Sequence, residues 1–143
     1  MKQWVTNALE RMAREGAVLV VTKGGESKIS RASGIAPLMG LLADDSDFLR
    51  GSSVVDRVVG RAAALLMLHG GVRELHAVLI SVPAIAALES HGMPFTYDEK
   101  TPCIRNRTKD GNCPMESACL DTDDPAEAHG ILKKKIAEMR ATS

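Results

Sequence analysis

The chain has 143 residues, of which 45% are hydrophobic and 25% charged, and its 18 basic side chains equal its 18 acidic ones. This composition is typical of one soluble globular domain, and it excludes disordered, collagen-like and coiled-coil proteins. Because there is no basic excess and only 3% of the residues are aromatic, a nucleic-acid partner and a base-stacking surface are excluded as well. We expect a single domain over residues 1–143.

The cysteine count and the first residues indicate the compartment. Three cysteines, all in the last third, are an odd number, whereas secreted disulfide scaffolds usually carry more and in pairs. The start, MKQWVTNALERMAREG, is typical of an amphipathic helix and not of a signal peptide, and the longest apolar run, 62–68, is too short to span a bilayer. We therefore expect a cytoplasmic protein with no membrane partner.

The first half of the chain predicts a helix, a hairpin and a helical turn. Apolar residues at helical spacing occupy 3–15, and Gly16 is a suitable end for that helix. The β-branched run 17–22 and the alternating segment 27–33 flank a Gly-Gly step, which indicates a β-hairpin. Residues 34–42 are expected to form a short helical turn.

Residues 53–68 are predicted to form one long, buried helix. Ser53 followed by Asp56 fits a helix-capping signal, and nearly all the residues after Arg57 are apolar or alanine. Gly60 and Ala64 would place small residues on one face of this helix, which would allow it to pack closely against a sheet.

The second half alternates strands with helices. Residues 74–81, ELHAVLIS, read as a covered central strand. The other predicted elements are a helix opened by Pro83 and ended at His91-Gly92, short strands over 94–97 and 103–106, a helical turn at CPMESACL, and a last helix capped by Asp124. Short strand–helix–strand connections require parallel pairing and right-handed crossovers. The expected fold class is a three-layer α/β/α domain with a mixed sheet, in which an antiparallel N-terminal hairpin is followed by parallel strands.

Three separated strings resemble a prokaryotic family catalogued as a domain of unknown function. They are GSSVVDRVVGRAAALLM, ELHAVLIS and IRNRTKDGNCPME, and the resemblance covers about residues 5–137. The resemblance implies a cytidine-deaminase-like fold, and it marks the NR…CPME residues of the third string as the family's hallmark.

The zinc-binding motifs of true deaminases are missing from this chain. Those enzymes carry H-x-E or C-x-E at the start of one helix and P-C-x-x-C at the start of the next. Here the first position holds Val55-Asp56-Arg57, and Ala84 and Ala87 stand at the two thiolate positions after Pro83. The other candidate ligands match none of the paired C-x2–4-C spacings of zinc sites: Cys103, Cys113, Cys119 and His129. We expect no metal, no cofactor and no hydrolytic deamination, because no zinc-bound water is available.

Candidate site residues lie first at the predicted helix N-termini. Asp56 would be a base or a ligand anchor, or only the reciprocal cap of Ser53. Ser53 and Ser81 mark two predicted N-termini, which would share an anion-binding pocket at the carboxyl end of the sheet.

The polar segment 104–116 supplies the other candidates. Asn106 and Arg107 offer a planar amide and a bidentate fork for a carboxylate, a phosphate or a base edge. Cys113 at a helix N-terminus would be a reactive thiolate with Glu116 as its acid–base partner. Alternatively, Cys113 packs as a small apolar side chain and Glu116 belongs to the first turn of that helix.

Three functional interpretations follow. The leading one is a zinc-free small-ligand-binding or regulatory domain, whose polar ligand is nucleotide- or nucleobase-like by fold analogy alone. The second is a divergent enzyme with Cys113 as nucleophile and Asp56 or Glu116 as base. The third is a structural module that forms homo-oligomers through the helix at 53–68 and the stretch 35–42. The first two require Asp56, Asn106, Cys113 and Glu116 to meet at one end of the sheet.

Overall fold

A computed structural model of the protein describes residues 2–32, 34–104 and 114–141. The helices and strands of these ranges follow in the order α1 Gln3–Glu15, β1 Leu19–Lys23, β2 Glu26–Ser30, α2 Ala36–Asp44, α3 Ser46–Leu49, β3 Ser53–Val59, α4 Arg61–Gly70, β4 Glu74–Ser81, α5 Val82–Ser90, β5 Phe95–Thr101, α6 Pro114–Ala118 and α7 Pro125–Ala141. No helix in the described ranges is both long and apolar enough to cross a bilayer.

The strands form one mixed sheet in the order β2-β1-β3-β4-β5. β1 pairs antiparallel with both β2 and β3, whereas β3, β4 and β5 are parallel. The β1–β2 hairpin turns at Gly24 and Gly25, whose φ angles of 56° and 87° suit a two-residue turn that other residues adopt only with strain. The predicted mixed sheet with an antiparallel N-terminal hairpin is confirmed.

Helices cover both faces of the sheet, which confirms the three-layer class. On one face, Ala8 and Met12 of α1 pack against Val20 and Val55. The opposite face carries the larger core, built from the apolar residues of α2, α4, α5 and α7. α4 lies between the sheet, α5 and α7 and is buried almost all round. This helix is therefore not available for the self-association that the sequence suggested.

The single helix predicted over 53–68 is wrong, because its first half is β3. Four of the seven residues of β3 are valine, and β-branched side chains favour strands. A continuous apolar run has the same periodicity in a buried strand and in a buried helix, so the pattern could not distinguish them. Gly60, extended at φ −98° and ψ −179°, separates β3 from the short α4.

The elements with clear capping signals are confirmed. β4 has the predicted bounds, and the Ala84 N–H donates to Ser81 Oγ at 3.2 Å at the start of α5. At the start of α7, the Ala126 N–H donates to Asp124 Oδ1 at 2.9 Å.

β5 extends beyond the predicted strand over 94–97 and ends at Thr101. Cys103 and Ile104 form no strand, and the rest of the predicted strand 103–106 lies outside the described residues.

Candidate functional site

Glu116 holds the short helix α6 against the N-terminus of α4. The Arg61 N–H donates to Glu116 Oε2 at 2.7 Å, and the Ala62 N–H donates to Oε1 at 2.9 Å. α4 has no capping side chain of its own, so this carboxylate satisfies two of its unpaired N–H groups and faces its positive end. A Cβ on Gly60 would overlap the carboxylate, which explains the glycine at this position.

Burial raises the pKa of Glu116, while the N–H groups of Ala62 and Arg61 and the charge of Arg61 act in the opposite direction. Both carboxylate oxygens already accept a hydrogen bond. The contact therefore gives Glu116 a structural role, while its predicted acid–base role stays a prediction.

Arg61 fixes the same region from the side, a role that sequence analysis missed. Its guanidinium donates to the carbonyl oxygens of Pro83 at 3.1 Å, Cys119 at 3.0 Å and Thr122 at 2.6 Å. Arg61 thus connects α4 to the start of α5 and to the chain that follows α6. Only the tertiary structure brings these carbonyl groups together.

Asp56 lies inside the sheet and not at a helix N-terminus, so the capping interpretation is wrong. It pairs with Leu19 on β1 and Ala77 on β4 and is 9% exposed. Burial raises the pKa of this carboxyl to about 7, although hydrogen bonds from the N–H groups of Arg57 and Val58 lower it. A group that titrates near neutral pH suits general acid–base chemistry.

Ser53 and Ser81 do not share a pocket. Ser53 lies at the first residue of β3, where its Oγ donates to Glu74 Oε2 at 2.7 Å. Ser81 is the last residue of β4 and caps α5. In parallel neighbours these positions are at opposite ends, roughly 20 Å apart for strands of this length.

The remaining sequence candidates lie outside the described residues. Asn106, Arg107 and Cys113 belong to this group, so their predicted meeting with Asp56 and Glu116 stays a prediction.

No metal cluster is found within the described ranges. They hold no group of three His, Cys, Asp or Glu residues that could bind a metal ion. The helix after β3 begins at Arg61-Ala62, so Val55-Asp56-Arg57 lies in a strand and does not occupy the position of the first deaminase motif. The true start of that helix carries no histidine or cysteine either. Burial also raises the pKa of the Cys119 thiol to about 11, so the thiol is protonated at neutral pH.

A cavity of about 650 Å³ lies between the start of α1 and the first residues of β4 and β5. We call it the α1–β5 cavity. Its polar and charged walls include Lys2 and Trp4 from the N-terminal helix region, Glu74 and His76 from β4, and Asp98 from β5. These residues meet because β4 and β5 run parallel, with His76 paired to Thr96.

Two residues that line this cavity each carry a ring nitrogen that is buried from solvent and has no hydrogen-bond partner. They are Trp4 Nε1 and His76 Nε2, and no other buried side-chain nitrogen or oxygen of the described residues lacks one. The His76 ring is 1% exposed and its Nδ1 lies 2.7 Å from Thr96 Oγ1. Asp98 Oδ1 lies 3.3 Å from Nε2 but outside hydrogen-bond geometry. A buried donor without a partner costs ~1–3 kcal/mol, so the pair requires an explanation.

Aromatic side chains are concentrated around the same cavity. Trp4, Phe95 and Tyr97, three of the four aromatic residues in the sequence, line it. The Phe95 and Tyr97 rings stack with their centroids 6.3 Å apart. Sequence analysis missed this site because the residues come from three distant segments and form no local motif.

The fold and this cavity define a three-layer α/β domain with a mixed five-stranded sheet and a candidate small-molecule site. The chain belongs to the family described as Domain of unknown function (DUF1893), whose model matches residues 7–136. It is similar to a DUF1893 family protein (TM1506) from Thermotoga maritima, with 32% identity and a TM-score of 0.86 over 94% of this chain and 91% of that one. No curated protein matches the chain.

These comparisons confirm the predicted membership of a family of unknown function. They name no activity, and they do not confirm the cytidine-deaminase-like relationship, which stays a prediction.

Proposed function

We propose that this protein is a zinc-free small-molecule-binding domain and that the α1–β5 cavity is its binding site. The observation that carries the proposal is a cavity of about 650 Å³ whose wall combines three aromatic side chains, Trp4, Phe95 and Tyr97, with the polar residues Glu74, His76 and Asp98.

The size and composition of the cavity support a small-molecule ligand. Such sites usually measure ~300–1,000 Å³ and combine apolar walls with a few placed polar groups. By contrast, three of the polar side chains first expected to bind a ligand have partners within the fold, because Glu116 caps α4, Ser81 caps α5 and Ser53 pairs with Glu74. The proposal therefore moves the ligand site from the carboxyl end of the sheet to this cavity.

The single tryptophan provides a direct test. We would titrate the protein with a set of small heterocycles, amines and carboxylic acids and follow the Trp4 indole N–H signal by NMR. At least one probe should move this signal together with the His76 ring signals and leave those of His129, on α7, in place. The proposal is wrong if no probe in the set moves the indole signal.

A matched variant tests the aromatic wall. Trp4→Phe keeps an aromatic ring but removes part of the contact surface, so the affinity measured from the probe's own signals should fall about fivefold. An unchanged affinity would show that the Trp4 ring does not contact the probe.

A second candidate is the enzyme with Cys113 as nucleophile, and Asp56 is the observation that favours it. A buried carboxyl with a pKa of about 7 can accept or donate a proton near neutral pH. If Asp56 activates the thiol, Cys113 should be alkylated rapidly below the usual thiol pKa, and Asp56→Asn should abolish the effect. Cys103 is the internal control, and equal rates at the two thiols would remove this candidate.

A further inference from the structure

We propose that the contact between α4 and α7 is pH-sensitive, and that protonation of two histidines within it releases α7 from α4 in mildly acidic solution. α7 packs on the face of the sheet opposite α1, so the inference does not depend on the proposed ligand site.

The two histidines face each other across the contact between the helices. His69 lies in the last turn of α4 and His129 is the fifth residue of α7. Their rings are half-buried, with centroids 4.7 Å apart and planes tilted by 39°. Neutral rings pack against each other at this distance. Two protonated rings repel each other, and partial burial strengthens the repulsion because less water separates the charges.

The nearest other charges in this region are positive. Lys133 lies one turn after His129 on α7, where its charge acts on the imidazole. The Arg50 guanidinium lies beside Gly71, two residues after His69. Protonation of both rings therefore adds positive charge to a contact that is already positive, which destabilises it.

The carboxylates of the neighbouring elements are paired elsewhere. Glu116 of α6 caps the opposite end of α4. Asp123, which precedes α7, lies 3.8 Å from Nε2 of His91 at the end of α5. Within the described ranges, no carboxylate forms an ion pair with His69 or His129. An added proton on these two rings is therefore not compensated by a paired negative charge.

The ionisation of His129 couples this contact to pH. Burial lowers the pKa of His129, and the charges of His69 and Lys133 act in the same direction. The unfolded chain therefore binds this proton at a higher pH than the folded protein does. The stability that the group contributes is complete above about pH 6.5 and is lost as the pH falls through the lower pKa of the folded state.

α7 is also weakly anchored. All 17 of its residues are described, and Ala128 and Leu132 are the two that are buried. His129 directly follows the first of them. A segment with little buried surface opens at a lower free energy than the core of a domain does. Repulsion between the rings therefore acts on an element that detaches before the sheet unfolds.

Amide hydrogen exchange, corrected for the intrinsic effect of pH on the exchange rate, tests the inference. The protection of α7 should fall at least about tenfold between about pH 7.5 and 5. That of β4 should not fall, because Asp56 stabilises the folded domain as the pH decreases over this range. In His129→Gln, whose side chain stays neutral, the protection of α7 should not fall either.

His91→Gln is the matched control. This variant removes a half-buried histidine whose protonation favours an ion pair with Asp123 and adds no repulsion between α4 and α7. It should keep the decline of the wild-type protein. A second variant, His69→Gln, tests the pair directly. The pKa of His129, measured by NMR titration of its ring, should rise in this variant, because one of the charges that lower it is gone.

Four results would overturn the inference. The first is α7 protection that does not fall in the wild-type protein, or that falls equally in His129→Gln. The second is loss of the decline in His91→Gln, which would assign it to another histidine. The third is β4 protection that falls together with that of α7, since this is unfolding of the whole domain. The fourth is an unchanged His129 pKa in His69→Gln.

Discussion

Asp56 is a carboxyl group held inside the sheet, and its ionisation opposes folding at neutral pH. Its pKa is raised from 3.8 to about 7 by burial. The folded protein therefore retains a proton that the unfolded chain releases above about pH 4. The stability that this group contributes is fully present below about pH 4 and is lost as the pH rises through about 7.

Asp56→Asn should raise the free energy of unfolding at pH 8 by on the order of 1–3 kcal/mol, because it removes the buried charge and keeps the shape of the side chain. The free energy of unfolding of the variant should also decline less between about pH 4 and 7 than that of the wild type. Urea unfolding across this range measures both effects, with the exposed Asp121→Asn as the control. An equally steep decline in the variant would show that the carboxyl is not the cause.

The contact between α6 and α4 depends on a glycine that leaves room for a carboxylate. A Cβ at position 60 would overlap the Glu116 carboxylate and displace it from the N-terminus of α4. Gly60→Ala should therefore cost ~1–3 kcal/mol in the wild-type background and much less in a Glu116→Ala background.

A double-mutant cycle with denaturant unfolding measures this coupling. Gly130→Ala in α7 is the control, since a Cβ there meets no atom within 4 Å. That substitution should stabilise the protein by ~0.5–1 kcal/mol through helix propensity. Additive effects of the Gly60 and Glu116 substitutions would contradict the proposed contact.

The chain after α6 is held by the three carbonyl contacts of Arg61. Arg61→Lys keeps the positive charge, but a single ammonium group cannot donate to all three carbonyl oxygens as the planar guanidinium does. Amide hydrogen exchange should speed up at least tenfold in 116–122, with β3 and β4 unaffected. Arg57→Lys, at an exposed arginine on β3, should leave all three segments unchanged.

At the scale of the whole molecule, the starts of α4 and α5 decide whether the domain can perform zinc chemistry. They carry Arg61-Ala62 and Ala84…Ala87, and alanine offers no atom to a metal. The purified protein should contain no stoichiometric zinc and should not deaminate cytidine, cytosine, adenosine or guanine. Elemental analysis after dialysis against a weak chelator checks this, and one retained zinc per chain would refute it.

The sequence by itself determined the fold class, the bounds of β4 and the starts of α5 and α7. These features depend on nearby residues, such as the Ser81 and Asp124 caps, or on helical crossovers between strands, which return the chain to run parallel. The boundary inside 53–68 required the tertiary structure, because a buried valine-rich strand has the same apolar pattern as a buried helix.

The candidate site was decided entirely by tertiary structure. Trp4, His76 and Asp98 become neighbours only when α1 packs beside β4 and β5 pairs parallel to β4. Glu116 reaches the N-terminus of α4 from 54 residues away, so its role had no local signal either. A local sequence pattern shows which secondary structure its residues favour. The hydrogen-bond partner of a buried donor or carboxylate comes instead from a distant segment of the chain, which only the tertiary structure brings into contact.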